Sequence, residues 1–179
     1  MTTPLTPEAA PVSQAFGSLA DVRIGLPADV RHASVAALNR LLAHTMALRD
    51  LYKKSHWQTA GLVFFELHQL FDKHYEAQVE LMDALAERVQ TLGGVAHALA
   101  GDVVSESRLS RAPRGIESAH HQLERLLDAH EFVLGEARPL ARAAAELGDD
   151  GTNDLIVSQL IRLHELQSWF VWRHISRPA

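Results

Sequence analysis

At 179 residues the chain is long enough for one domain with a substantial core, and its 47% hydrophobic but only 6% aromatic content favours an all-α fold over a many-turned β protein. The 17 Lys plus Arg against 22 Asp plus Glu give a formal charge of -5 with no visible basic cluster, which argues against a protein that lives on phosphate backbones. With no cysteine there are no disulfides, thiolate metal sites or redox thiols, so metal chemistry would fall to Asp, Glu and the 11 histidines.

Residues 1–26 carry Pro4, Pro7 and Pro11 without sustained periodicity and are expected to form a flexible tail. No basic segment precedes an apolar run, and no stretch approaches the length of a bilayer span, so a soluble cytoplasmic protein is expected. From Pro27 to Thr59 the apolar positions Val30, Val35, Leu38, Leu41, Leu42, Leu48 and Tyr52 recur at helical spacing, and Gly61 then stops the helix. A second long helix is predicted from Leu62 to Leu92, its stripe including Phe64, Leu67, Phe71, Tyr75, Leu85 and Val89, before Gly93-Gly94 ends it. The connector 93–115 is long for adjacent antiparallel helices; it is expected to cross a bundle and to carry a short helix near Val95 to Leu99. A third helix follows from Ile116 to Leu147, with Pro139 expected to kink it. The fourth runs from an N-cap at Thr152 to His174, with Leu155, Leu160, Leu163, Leu166, Phe170 and Val171 facing inward. One bundle over 27–175 and a short tail at 176–179 complete the chain.

Five potential metal ligands stand in the stretch from Ser55 to Val89: His56 near the end of the first helix, and His68, Asp72, Asp83 and Glu87 on the second. His68 and Asp72 are four residues apart, as are Asp83 and Glu87, so each pair shares a helix face and can converge on one ion. The two pairs cannot serve the same ion within one chain. His68 and Asp83 are fifteen residues apart, roughly 22 Å along a helix axis. If they cooperate, the second pair comes from another copy across a two-fold axis, which creates two identical sites per dimer. Two imidazoles and three carboxylates suit Fe(II) and can also hold Fe(III), Mn or Zn. Taken singly, carboxylates four apart on a helix are ordinary solvated surface.

The stretch SHWQTAGLVFFELHQLFDKHYEAQVELMDALAERV resembles the signature of the Dps family (DNA-binding protein from starved cells), with His56-Trp57 followed by a carboxylate-rich second helix. The resemblance extends over about Val30 to His174 and implies a ferritin-like four-helix bundle. It implies that His56, His68 and Asp72 are ferroxidase ligands from one subunit and Asp83 and Glu87 those from its two-fold mate. Trp57 matches the tryptophan beside the family's metal site, where it can donate an electron or simply pack the helix end; Trp169 and Trp172 read as core or interface residues. The segment Gly148-Asp-Asp-Gly-Thr-Asn-Asp154 resembles the family's iron-entry channel, making Asp150 and Asp154 pore candidates, although both also suit a helix start. Asp29, His32, His44 and Asp50 loosely resemble an extra N-terminal metal site of some members. His120, His121 and His130 read as surface residues. The paired Glu-x-x-His motifs of a typical ferritin or rubrerythrin are not found; Glu117-Ser-Ala-His120 stands alone.

The resemblance therefore implies a homo-oligomer of twelve subunits in a hollow shell that oxidises Fe(II), preferentially with hydrogen peroxide, and stores ferric mineral, so protecting against oxidative damage. Iron is the implied metal, with zinc as a possible substitute. An architectural DNA-compacting protein is the chief rival, and a helical assembly with a structural zinc site a third reading. Residues 1–26 hold no lysine and only Arg23, balanced by Glu8 and Asp21, and after Ile175 there is only Arg177, so DNA binding is expected to be weak or absent.

Overall fold

A computed structural model describes residues 11–176, and among them every regular element is helical. Helices α1 (Ala28–Gln58) and α2 (Phe64–Thr91) form an antiparallel hairpin, α3 (Ala100–Glu106) lies in the connector, and α4 (Ala119–Glu146) is the third bundle helix. The fourth is one rod in three pieces: α5 (Asp150–Asp154), a π-helical segment (Leu155–Ile161) and α6 (Arg162–Ile175). Contacts between His44 and Phe132 and between Tyr52 and His130 set α4 antiparallel to α1. Since α2 is also antiparallel to α1, α2 and α4 run the same way, and the connector must travel the length of the bundle, as its length requires.

The expected helix near Val95 to Leu99 lies instead at Ala100–Glu106. Asp102 explains the shift: its carboxylate accepts from the backbone N–H of Leu99 at 3.1 Å, fixing the start after the apolar residues that suggested it. Similarly, Thr152 is not the cap of the fourth rod. Asp149 is, its Oδ1 accepting from Thr152 N at 3.0 Å and from Arg88 Nη2 at 2.5 Å, while Thr152 Oγ1 accepts from Arg88 Nε. The end of α2 is thereby tied to the start of α5. Helix α4 begins after Ser118, whose side chain accepts from His121 N, and continues unbroken through an exposed Pro139.

Gly93 ends α2 with φ 84°, and its carbonyl accepts from Ala20 N at 2.7 Å and Gln14 Nε2 at 2.9 Å. A Cβ there would lie 2.7 Å from Ala20 O. Arg31, buried in α1, donates to the carbonyls of Ala20 and Leu92. Residues 11–26, part of the segment expected as a flexible tail, thus lie hydrogen-bonded along the bundle without forming a regular element; residues 1–10 and 177–179 lie outside the described residues.

Two apolar clusters fill the bundle. One contains Leu38, Leu41, Leu42, Leu81, Leu85, Val89, Val133, Ile156 and Leu160, the other Leu48, Tyr52, Leu67, Phe71, Leu123, Leu126 and Val171. Each fully buried leucine contributes about 1.5–3 kcal/mol by leaving water. Between the clusters, along α2, α4 and α6, sit buried His74, Gln78, His130, His164 and Gln167. His130, expected at the surface, is fully buried, since it continues the α4 stripe between Leu126 and Val133. Conversely Phe64, Leu166 and Phe170, expected inward, are exposed on the single chain.

Candidate metal centre

The α1–α2 hairpin brings the last turn of α1 beside the second turn of α2, so His56 and His68 meet with ring centroids 3.7 Å apart and an interplanar angle of 21°. Each Nδ1 faces the other residue's backbone carbonyl, His56 to His68 O at 2.8 Å and His68 to His56 O at 2.9 Å. A carbonyl can only accept, so both Nδ1 atoms carry the proton. Both Nε2 atoms are then the lone-pair nitrogens, the tautomer that a metal ligand needs. The same bonds satisfy the carbonyl of His56, which lies beyond the last intrahelical partners of α1.

Asp72, one turn after His68, stands with Oδ1 3.8 Å from His56 Nδ1 and 2.5 Å from Lys53 Nζ. The Lys53 hydrogen bond holds the Asp72 carboxyl below its ordinary value, so it is a carboxylate at neutral pH. Lys53 was not singled out from sequence, yet it lies three residues before His56 and thus on the same face of α1. Its ammonium also covers the Tyr75 ring, 4.4 Å from the centroid. Asp83 and Glu87 are exposed further along α2 and do not join this group. Among the described residues of one chain, no three His, Asp or Glu side chains form a group able to hold a metal ion.

Trp57, next to His56 in the chain, is 71% exposed, and Leu62, Val63, Phe64 and Phe65 add further exposed apolar surface at this end of the hairpin. Asp150 and Asp154 are exposed on α5, and Asp154 Oδ1 accepts from Ser158 Oγ at 2.6 Å. The loosely matched N-terminal set is dispersed: His32 Nε2 contacts Gly17 O, buried His44 Nδ1 contacts Ser107 Oγ, and Asp50 pairs with Arg49. His120 pairs with Glu124 at the surface. No described helix is long and apolar enough to cross a membrane.

A family model for the ferritin-like domain matches residues 35–177. DpsC from Streptomyces coelicolor has the same fold with a TM-score of 0.93 at 46% identity, over 94% of this chain and 98% of that one. The chain belongs to the Dps family. A DNA protection during starvation protein of Halobacterium salinarum is 31% identical over 140 residues, covering 78% of this chain and 77% of the relative. A Dps protein from Vibrio cholerae, described as a member of a broad superfamily of ferritin-like diiron-carboxylate proteins, matches with a TM-score of 0.82 at 28% identity, covering 89% of this chain and 99% of that one. In this member of the family, His56, His68 and Asp72 stand together at the surface where α1 meets α2.

Proposed function

We propose that this protein is a ferroxidase and iron-storage protein whose sites are shared between two subunits across a two-fold axis. The observation that carries the reading is the half-site: two imidazoles locked with free Nε2 atoms and one ionised carboxylate, while Asp83 and Glu87 lie exposed roughly 22 Å along the same helix. An antiparallel partner supplies to each half-site the carboxylates it lacks. The exposed apolar surface around Trp57 supports the same reading, because a contiguous patch of this kind marks an interface. In the assembly, a dodecameric cytoplasmic shell, Fe(II) enters past Asp150 and Asp154, is oxidised preferentially by hydrogen peroxide, and is stored as ferric mineral. The neutral imidazoles hold Fe(II), and the carboxylates stabilise the added charge of Fe(III). Two Fe(II) oxidised together give both electrons to one peroxide, which avoids hydroxyl radical and protects the cell.

Anaerobic titration of the assembled protein with Fe(II), followed by peroxide and a record of ferric absorbance, tests this. Saturable binding and rapid oxidation are expected. A protein that neither binds nor oxidises iron would remove the proposal and leave a structural zinc site as the remaining metal reading. The name of the Halobacterium relative favours a second reading, DNA protection by direct binding. With a formal charge of -5 and no lysine in residues 1–26, few counterions are released on contact with DNA, so no retardation of plasmid DNA is expected at physiological salt. Tight, salt-sensitive retardation would reinstate it.

A further inference from the structure

The buried polar layer contains a tyrosine whose surroundings are built to take its proton. Tyr52 is fully buried, and its hydroxyl touches two imidazoles, the closer contact being to His130 Nε2 and the other, at 3.1 Å, to His74 Nδ1. His130 Nδ1 in turn lies 3.1 Å from His164 Nδ1, and His164 Nε2 is buried without a partner. A hydroxyl has one proton, so only one of its two contacts can receive it, and His130 is the receiver whose second nitrogen faces a further ring, His164. His74 Nδ1–H then donates to the phenol oxygen, and His130 Nδ1–H donates to His164 Nδ1. The chain reads as a proton wire from phenol to imidazole to imidazole, wholly inside the bundle.

We infer that Tyr52 is a redox-active residue that gives one electron to the iron site while its phenolic proton passes to His130. A phenol that loses an electron becomes a far stronger acid than imidazolium, so it sheds its proton as the electron leaves, and even an imidazole whose basicity burial has lowered can take it. A neutral imidazole already hydrogen-bonded to the hydroxyl gives that proton a place to go without either ring moving. Tyr52 stands four residues, about 6 Å along the axis, before His56 on α1, close enough for electron tunnelling through packed side chains. The other tyrosine, Tyr75, is disfavoured as a donor by the Lys53 ammonium over its ring, which opposes the loss of an electron. Trp57 is solvent-exposed on the single chain and has no basic partner among the hydrogen bonds of the described residues.

The inference rests on the ferroxidase reading, and it adds a route for a site holding a single Fe(II). Reduction of hydrogen peroxide to two waters breaks the O–O bond and takes two electrons and two protons. Fe(II) supplies one electron on becoming Fe(III), Tyr52 supplies the other on becoming the neutral phenoxyl radical, and solvent supplies the two protons. The phenolic proton is retained on His130 as imidazolium. A following Fe(II) returns one electron to the radical while His130 returns the proton, so the pair is restored and two Fe(III) have been made per peroxide. The protein can thus meet peroxide one iron at a time without releasing hydroxyl radical.

The test mixes the assembled protein, loaded anaerobically with one Fe(II) per subunit, with peroxide, followed by freeze-quenching and electron paramagnetic resonance. The wild type is expected to give a neutral tyrosyl signal that forms with the ferric product and decays when more Fe(II) is added. Tyr75→Phe, which leaves Tyr52 as the sole tyrosine, should keep the signal, and ring-deuterated tyrosine should narrow it. Tyr52→Phe should abolish it, and His130→Gln, which can accept the hydrogen bond but not the proton, should slow its formation about a hundredfold. Iron oxidation with no tyrosyl signal, a signal lost in Tyr75→Phe, or one on an indole would overturn the inference alone. No iron oxidation at all in the wild type would instead overturn the ferroxidase reading beneath it. If Tyr52→Phe fails to assemble, the deuterated Tyr75→Phe protein still decides the assignment.

Discussion

Two histidine clusters lie close together in this bundle and have opposite chemistry. At the hairpin surface, His56 and His68 spend their Nδ1 protons on each other's backbone carbonyls and leave both Nε2 atoms unused by the chain. One turn inward, His74 and His130 bond Tyr52, and His130 bonds His164, so imidazole nitrogens are consumed by neighbouring side chains. The first cluster is incomplete and open, suited to receive an ion; the second is closed and neutral, suited to moving a proton. The residue type is the same in both, and the neighbour on the second ring nitrogen decides which task it can perform.

The strongest way to break this comparison is to complete the open cluster from two damaged copies. One chain carries His56→Ala and His68→Ala, the other Asp83→Ala and Glu87→Ala. Each assembly alone should be nearly inactive in peroxide-driven iron oxidation. A mixed dimer places all the damage in one site and leaves the other intact, so co-assembly should restore activity up to one site per mixed dimer. Mixed oligomers that regain nothing would show that the two histidines and the two carboxylates serve different ions.

Acid should act on the closed cluster first. Burial pushes the pKa of His74 down to about 4 and that of His164 to about 3, lowers that of His130 well below its ordinary value, and takes His44, buried elsewhere on α1, to about 4. In the unfolded chain each titrates near 6.5, so the stability associated with keeping these rings neutral is complete above that pH and is lost as pH falls toward the folded values. Each ring should remove about 1.4 kcal/mol per pH unit in that window, read from denaturant midpoints between neutrality and pH 4. A flat profile would mean that the rings are not buried neutral. A single truncation gives a smaller effect: His164→Ala opens a cavity and strands His130 Nδ1, which should cost about 2–4 kcal/mol by denaturant unfolding. The smallest effect is expected far from both clusters. Asp150→Asn with Asp154→Asn should slow iron uptake about tenfold or less while assembly stays intact, since these carboxylates act by concentrating cations. Unchanged uptake kinetics would reduce them to helix-start acids.

The open cluster was legible in the sequence because its members lie on one helix or at a helix end, where spacing translates directly into shared faces. The long helices were legible for the same reason, since each carries its own apolar stripe. The closed cluster was not. His74, His130 and His164 come from three helices, and a stripe records only that a position faces inward, not which residues it meets there. His130 could still have been placed inside, because it falls on the spacing of Leu123, Leu126 and Val133. The crossover helix was misplaced because apolar content near Val95 to Leu99 outweighed the local signal of Asp102, whose carboxylate fixes the true start.

The π-helical segment Leu155–Ile161 sets the phase between the two ends of the fourth rod. A helix turns about 100° per residue, so one residue more or less in a turn rotates everything beyond it by that amount. Upstream, Asp149 and Thr152 are pinned to Arg88; downstream, His164 and Gln167 must reach the interior. In evolutionary terms, the wide turn is where an insertion can be absorbed without moving either end. Deleting one of its seven residues should therefore regularise the helix and leave Asp149 and His164 facing as they do, whereas the same deletion in α6 ahead of His164, where no wide turn can give up a residue, would swing His164 out of the interior.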